Sequence, residues 1–238
     1  MQAAVVYEAG AVPVCAEFPE PEPADGQALV ELVGAGVHQV VRSRVAGRHY
    51  SVAGAWPAVP GVDAVARTPD GRLVYTGSVT PPWGTMAERM AVPAQFGLEL
   101  PAGADPLAVA AGMNPGSASW LPLSQRHDQL GERGLGTVLV LGATGMSGSV
   151  AVDNAYALGA TAVVAVGRNR TKLEGLAARV GAGRGLRTVG LTCDSETDTA
   201  GIVAALDGQP PSIVIDFCWG PVAESAFQAW GHPDLDVE

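Results

Sequence analysis

Hydrophobic positions change their spacing along the chain, and the change divides it into two parts. From Met1 to about Val92, short runs of apolar and β-branched residues alternate with glycine and proline. Such punctuation predicts strands that are joined by tight turns. The predicted strands are Ala3–Tyr7, Ala28–Val37, Val62–Ala66, Leu73–Thr76 and Met86–Val92. The first part is therefore predicted to be a small, mostly antiparallel β domain.

Beyond Gly136, apolar runs alternate with amphipathic stretches of helical length. The predicted strands are Thr137–Leu141, Thr161–Val166, Leu186–Leu191 and Ser212–Asp216, and the predicted helices are Ser147–Leu158, Arg170–Val180, Thr199–Leu206 and Val222–Trp230. This order predicts βαβ units around a parallel sheet. An alanine-rich helical stretch from Asp105 to Leu123 precedes it, with Asp105 as the expected N-cap. We therefore expect two domains, 1–123 and 124–238.

Composition and charge exclude several classes of protein. The 238 residues are 47% hydrophobic and 16% charged, which suits a globular fold. The formal net charge of −10 leaves no basic face for nucleic acid or anionic lipid. The long uncharged stretches 106–125 and 134–152 are interrupted by proline and polar residues or by glycine. No membrane span or nucleic-acid partner is therefore expected.

Cysteine usage and the N-terminus indicate a cytoplasmic protein. Cys15, Cys193 and Cys218 lie far apart and form no C-x-x-C pair, so we expect three free thiols. The start of the chain lacks the basic and apolar regions of a signal peptide. Arginine predominates over lysine, and alanine and glycine are abundant, which suggests a GC-rich bacterial genome.

A glycine-rich loop follows the first predicted strand of the second part. It runs from Gly142 through Thr144, Gly145 and Met146 to Gly148, and a helix is predicted to begin within it. This G-x-x-G-x-x-G pattern between strand and helix is typical of sites for a dinucleotide pyrophosphate, in which backbone N–H groups and the helix dipole hold the anion. The alternative is a glycine-rich turn with a purely structural role.

The residues after the second strand indicate which dinucleotide is preferred. NAD sites place an acidic residue there to bind the ribose 2′-hydroxyl, whereas this chain has Arg168 and Asn169, with Lys172 close behind. Cations at this place favour a 2′-phosphate, so we predict NADPH, with Arg168 as its main ligand. A solvated basic helix start is the alternative, but positive charge is unfavourable at a helix N-terminus.

Five segments together resemble the medium-chain dehydrogenase/reductase superfamily, specifically its zinc-free quinone oxidoreductase-like and enoyl reductase-like branch. The segments are Gly47–Tyr50, Val59–Asp63, Gly84–Glu88, Asn114–Trp120 and Val138–Leu141 with the loop that follows. The resemblance implies an α/β protein with a GroES-like N-terminal domain and a Rossmann-type dinucleotide-binding domain. Zinc members carry a Gly-His-Glu segment where this chain has Gly61, Val62 and Asp63, so no metal is expected.

The resemblance also implies site residues. Tyr50 lies where the family places a tyrosine near the nicotinamide, and a phenol can hydrogen-bond a carbonyl or deliver a proton. His38 occupies the position of the family's asparagine and is a candidate acid or base. Asn114 is expected to contact the cofactor. Each of these side chains has a structural alternative, and Asp63 is expected to orient a backbone turn.

The predicted parallel sheet differs from the family in one respect. Rossmann sheets of this type have six strands in the order 3-2-1-4-5-6, whereas four strands are predicted here before the printed sequence ends. We therefore expect a Rossmann domain that lacks its last strands, with the apolar segment Ile213–Phe217 at an unpaired edge. A homodimer is the expected means of covering that edge, because symmetric association is the commonest solution.

Three functions compete. The first is an NADPH-dependent oxidoreductase that reduces a quinone or another activated alkene by hydride transfer. The second is a reductase-derived enzyme that catalyses a non-redox cyclisation, isomerisation or elimination, which His38 in place of asparagine favours. The third is a non-catalytic NADPH-binding protein. A small-molecule substrate is expected for both enzymes, and the sequence does not identify it.

Overall fold

The structure is a computed structural model, and it describes residues 1–50 and 56–231. The chain divides between Asn114 and Pro115 into two compact units, which we call unit 1 and unit 2. The sequence places the boundary after residue 123 instead. Both positions lie within helix α2, Pro106–Leu130, so a helix rather than a loop joins the two units. Asp105 is the N-cap that the sequence predicts, since its carboxylate accepts a hydrogen bond from Leu107 N at 2.9 Å.

Unit 1 is built from antiparallel strands. The strands are β1 (Gln2–Val5), β2 (Val14–Glu17), β3 (Gln27–Ala35), β4 (Asp63–Arg67), β5 (Leu73–Gly77), β6 (Arg89–Pro93) and β7 (Gly97–Glu99). β1 pairs with β2, and the other five form one sheet in the order β6-β3-β4-β5-β7. Every pair is antiparallel, so the predicted β domain is confirmed.

Three elements of unit 1 escape the sequence pattern. β2 and β7 are short and mostly exposed, so they carry no clear alternation of apolar and polar residues. Helix α1, Gln39–Val45, contains β-branched valines, which favour strands, and buries only Val41. Local sequence therefore gives little sign of these elements, and their packing determines them.

Unit 2 is a parallel sheet covered by helices on both faces. Its strands are β8 (Thr137–Leu141), β9 (Ala162–Gly167), β10 (Leu186–Gly190) and β11 (Ile213–Asp216), and its helices are α3 (Met146–Ala157), α4 (Arg170–Val180), α5 (Ser195–Leu206) and α6 (Pro221–Trp230). A short 3₁₀ helix, Gly131–Arg133, precedes β8. The order β10-β9-β8-β11 corresponds to 3-2-1-4 of a Rossmann sheet, which confirms the predicted fold class.

The two faces of this sheet bury alternate residues of each strand. Val138 and Val140 pack with residues of α3 and α4, whereas Leu139 and Leu141 pack with α5 and α6. The chain therefore changes face between β8 and β11, and such a switch point opens a crevice at the carboxyl ends of the strands. Among the described residues, β11 pairs with β8 alone. No helix in the described part of the chain has the length and apolarity to cross a bilayer.

Candidate functional site

The turn from β8 into α3 has a conformation that requires glycine at its first position. Gly142 has a φ of +88°, and a Cβ there would lie 2.9 Å from the Cys218 sulfur. The amides of Gly142 and Ala143 both donate to Val166 O, at 3.0 and 2.9 Å, which ties the loop to the end of β9. The loop is therefore held rigidly at the carboxyl edge of the sheet.

Gly148 permits the close packing of α3 on this loop. A Cβ at this position would overlap the carbonyl oxygen of Gly142 and would lie 2.7 Å from its carbonyl carbon. Thr144 packs in a comparable way against Gly167, where a Cβ would lie 2.9 Å from the Thr144 hydroxyl oxygen. Gly148 is thus a glycine because the backbone leaves no room for a side chain, whereas Gly167 makes space for the side chain of Thr144.

Gly145 differs from both of these glycines. Its φ is −82°, which any residue can adopt, and a Cβ there would meet only Gly142 O, at an ordinary contact distance of 3.4 Å. Neither backbone conformation nor packing within the described residues demands glycine. A glycine at this place leaves the backbone accessible to a bound group, as the middle glycine of a dinucleotide loop does.

The N-terminus of α3 is available to an anion. Gly145 is its N-cap, and no described side chain caps the helix. By contrast, Asn169 caps α4 by accepting from Lys172 N at 3.0 Å, and Asp194 caps α5 by accepting from Thr197 N at 2.9 Å. The first amides of α3, including that of Met146, therefore remain able to bind a phosphate, and the helix dipole favours one.

Basic side chains lie at the end of β9. Arg168 and Lys172 are exposed, and neither forms an ion pair with any described residue. Arg170 lies across the end of β10, since a Cβ at Gly190 would be 3.3 Å from its guanidinium carbon. Asn169 has the helix-capping role described above. These positions fit a 2′-phosphate, and their role as ligands stays a prediction.

The segment after β11 adds residues that the sequence analysis did not single out. Asp216 accepts hydrogen bonds from the amides of Cys218 and Trp219, at 2.7 and 3.0 Å, which folds the chain back beside the glycine loop. Burial and the nearby Asp216 carboxylate raise the pKa of the Cys218 thiol, while Arg168 acts in the opposite direction. The indole of Trp219 is 75% exposed. An acidic residue at the carboxyl end of a parallel strand is the signal that would have identified this segment.

In unit 1, His38 lies in a small hydrogen-bonded group with Asp63 and Tyr75. His38 Nε2 is 3.2 Å from Asp63 Oδ2, and the Tyr75 hydroxyl donates to the same oxygen at 2.6 Å. Burial raises the pKa of Tyr75 well above its usual value, and the hydrogen bond to Asp63 and the charge of Asp63 raise it further. The phenol therefore keeps its proton and remains a donor. The expectation that Asp63 orients a backbone turn misses this contact, and Tyr75 was not singled out.

The other predicted residues lie apart from that group along the chain. Tyr50 is 95% exposed, and its ring contacts that of His49 with centroids 4.3 Å apart. Asn114 lies inside α2. No described contact joins Tyr50 to His38. The roles of Tyr50, His38 and Asn114 stay predictions. The described residues contain no group of three or more metal-ligating side chains.

Comparison with curated proteins gives a quinone reductase as a relative. No family model matches the chain. The chain is 32% identical over 242 aligned positions to a protein of Emericella nidulans named "Probable NADPH-dependent quinone reductase tdiC". The alignment covers 89% of this chain and 66% of that protein, so the chain spans about two thirds of its relative's length.

Solved structures have the same fold. The quinone oxidoreductase of Thermus thermophilus, whose complex with NADPH is known, matches with 26% identity and a TM-score of 0.74 over 94% of this chain and 69% of its own. An alcohol dehydrogenase superfamily protein of Novosphingobium aromaticivorans matches with 26% identity and a TM-score of 0.72 over 96% and 69%. A mycobacterial protein complexed with NADPH, at 22% identity and a TM-score of 0.76, supports the fold alone.

Fold and glycine loop thus define unit 2 as a Rossmann-type domain that follows an antiparallel β domain. The chain belongs to the quinone oxidoreductase-like group of the medium-chain dehydrogenase/reductase superfamily. The resemblance that the sequence motifs predict is confirmed.

Proposed function

We propose that this protein is an NADPH-dependent oxidoreductase that reduces a quinone or another activated alkene without a metal ion. The main support is Gly145, the N-cap residue of α3. Neither its backbone conformation nor its packing requires glycine, and no side chain caps this helix among the described residues. The names of the relatives support the same cofactor and class of acceptor. The proposal also includes a homodimer in a bacterial cytoplasm.

The residues present fit both the pyrophosphate and the 2′-phosphate of the cofactor. The amides at the start of α3 would hold the pyrophosphate, and Arg168 with Lys172 would pair with the 2′-phosphate. When bound, NADPH supplies a hydride to the acceptor. His38 and Tyr50 of unit 1 are the candidate groups that bind the substrate oxygen and provide the accompanying proton.

Equilibrium titration with NADPH and NADH tests the cofactor part of the proposal. We expect micromolar binding of NADPH and weaker binding of NADH. Arg168→Ala should remove most of the preference, because a charge-assisted contact with the 2′-phosphate is lost. Arg126→Ala is the matched control, since Arg126 is an exposed arginine of α2 that bonds only Gln129 among the described residues. Equal affinity for the two nucleotides, or no binding, would contradict the proposal.

Oxidation of NADPH in the presence of quinones and enones tests the reaction. Loss of cofactor absorbance that requires the acceptor would support hydride transfer. NADPH binding with no turnover on any acceptor would favour the non-redox enzyme or the non-catalytic binding protein instead.

A further inference from the structure

We propose that Asp63 is a positioning residue that holds the His38 imidazole in one tautomer, with Tyr75 as the anchor of the Asp63 carboxylate. Nδ1 of His38 is then the atom that exchanges a proton with the substrate. The inference rests on the proposed function, because it assigns the proton transfer of that reaction. It concerns three side chains of unit 1.

The hydrogen bond between His38 and Asp63 determines which ring nitrogen carries the hydrogen. An ionised carboxylate only accepts hydrogen bonds, so Nε2 of His38 must donate across the 3.2 Å that separates it from Oδ2. The neutral ring consequently has its lone pair on Nδ1. His38 is the N-cap of α1, yet its side chain makes no capping bond, and no described residue binds Nδ1. That nitrogen is left for a ligand.

The surrounding backbone is shaped around this contact. A Cβ at Gly36 would overlap Nε2 of His38 and lie 2.7 Å from its Cε1, so the glycine makes space for the ring. The carbonyl oxygen of Asp63 accepts from Gly36 N at 3.3 Å and from the buried Thr85 hydroxyl at 3.1 Å. Both ends of the His38–Asp63 contact are therefore fixed by neighbouring strands and loops.

Tyr75 holds the carboxylate from the adjacent strand. Asp63 of β4 pairs with Gly77 of β5, so Tyr75 lies two residues away on the same face of β5 and reaches the carboxylate diagonally. Its hydroxyl shares Oδ2 with His38. Tyr75 thus limits rotation of the carboxylate and keeps the oxygen that His38 uses in place.

Asp63 keeps an acceptor that the fold does not use. Its side chain is 8% exposed, and Oδ1 is buried without a hydrogen-bond partner among the described residues. A buried carboxylate oxygen without a donor costs free energy, which a purely structural aspartate would avoid. The fold thus leaves Oδ1 unpaired while Oδ2 holds the His38 ring.

The proton balance of the proposed step closes with water as the only further reactant. Hydride addition to a quinone or enone leaves an anionic oxygen or carbon on the substrate. The N–H bond at Nδ1 of the His38 imidazolium breaks, and an O–H or C–H bond forms on that substrate atom. His38 becomes neutral with its hydrogen still on Nε2, and Nδ1 then recovers a proton from water. Asp63 and Tyr75 keep their protonation states throughout.

Nitrogen NMR of the imidazole rings, measured on the wild-type chain and on Asp63→Asn, tests the assignment. We expect the wild-type His38 ring in the tautomer with hydrogen on Nε2. In Asp63→Asn a single amide atom replaces Oδ2 and faces both Tyr75 and Nε2. The amide nitrogen at this place donates one hydrogen to Nε2 and the other to the Tyr75 oxygen, which leaves only the amide oxygen unpaired and shifts the ring hydrogen to Nδ1. The rate constant kcat for quinone-dependent NADPH oxidation should fall by about 100-fold, typical for loss of a general acid, while the Kd for NADPH stays unchanged.

The chain offers a matched control in a second His–Asp pair. His127 and Asp128 are 3.6 Å apart, with the Asp128 side chain 83% exposed. Asp128→Asn should alter neither the His38 tautomer nor kcat. A wild-type His38 with hydrogen on Nδ1, or Asp63→Asn with wild-type kcat, would overturn the assignment.

The wild-type spectrum needs no variant, so the test survives if Asp63→Asn does not fold. In that case Tyr75→Phe, which retains the carboxylate, takes its place. This variant should lower kcat less than tenfold and leave the His38 tautomer unchanged. A reversed tautomer in Tyr75→Phe would contradict the assignment. If the wild-type chain binds NADPH but reduces no acceptor, the proposed function fails. The His38 tautomer still decides whether Asp63 positions the ring.

Discussion

Alanine substitutions in the glycine loop should separate an effect on stability from an effect on NADPH binding. Gly145→Ala adds a methyl group that meets only Gly142 O, at 3.4 Å, in a backbone conformation that alanine adopts freely. Gly148→Ala adds the same methyl group where it overlaps the Gly142 carbonyl oxygen and lies 2.8 Å from Ala143 Cα. Both variants add one methyl group, and they differ only in the space that the fold leaves for it.

The magnitudes follow from that difference. Alanine is a poorer N-cap than glycine by about 0.5–1 kcal/mol, but it restricts the unfolded chain by a similar amount, so Gly145→Ala should change the free energy of unfolding by less than ~1 kcal/mol. Overpacking against backbone atoms at Gly148 should cost about 2–3 kcal/mol. For a chain of this size, that cost lowers Tm by about 4–12 °C.

Thermal unfolding and NADPH titration of both variants form the assay. Gly145→Ala should melt within about 3 °C of the wild-type chain. It should bind NADPH at least tenfold more weakly, a loss of about 1.4 kcal/mol, because the methyl group occupies the place of a phosphate. The reasoning is refuted if Gly145→Ala melts as low as Gly148→Ala, or if it binds NADPH like the wild-type chain.

Three further predictions concern protons, metal and assembly. The raised pKa of Tyr75 means that the folded chain keeps a proton which the unfolded chain loses above about pH 10, so stability falls as the pH rises beyond that value. Urea unfolding at pH 8 and 10.5 should show a smaller fall for Tyr75→Phe than for the wild-type chain, and Tyr7→Phe, at an exposed tyrosine, should behave like the wild type. Dialysis against a chelator should leave quinone reduction unchanged, and a loss restored by zinc would disprove zinc independence. Sedimentation velocity should give twice the chain mass of 24.2 kDa, whereas a monomer at micromolar concentration would contradict the homodimer.

Local sequence was sufficient where one segment carries the whole feature. The glycine loop lies within seven consecutive positions, between a predicted strand and a predicted helix, so one short segment identifies it. Strand β9 is buried throughout and β8 is buried from Val138 onward, so their apolar runs identify them. The order of strand, loop and helix then determines the parallel sheet, because crossover connections leave few alternatives.

Packing determined the features that join distant segments. His38, Asp63 and Tyr75 lie on a helix cap and two strands, and only the antiparallel register of β4 and β5 brings Tyr75 to the carboxylate. The hydrogen bond from Cys218 N to the Asp216 carboxylate likewise turns the chain so that Cys218 lies beside Gly142. No spacing along the chain encodes either contact.

The sequence by itself thus determined the family, the Rossmann-type unit and the place of the phosphate loop, since backbone conformation and hydrophobic burial act over a few residues. Only the tertiary structure decided that Asp63 faces His38 and that Gly145 alone among the three loop glycines is free of steric demand. The first fact depends on His38 Nε2 and Asp63 Oδ2, which are distant in sequence, meeting at 3.2 Å, and the second depends on how the turn from β8 into α3 packs on itself.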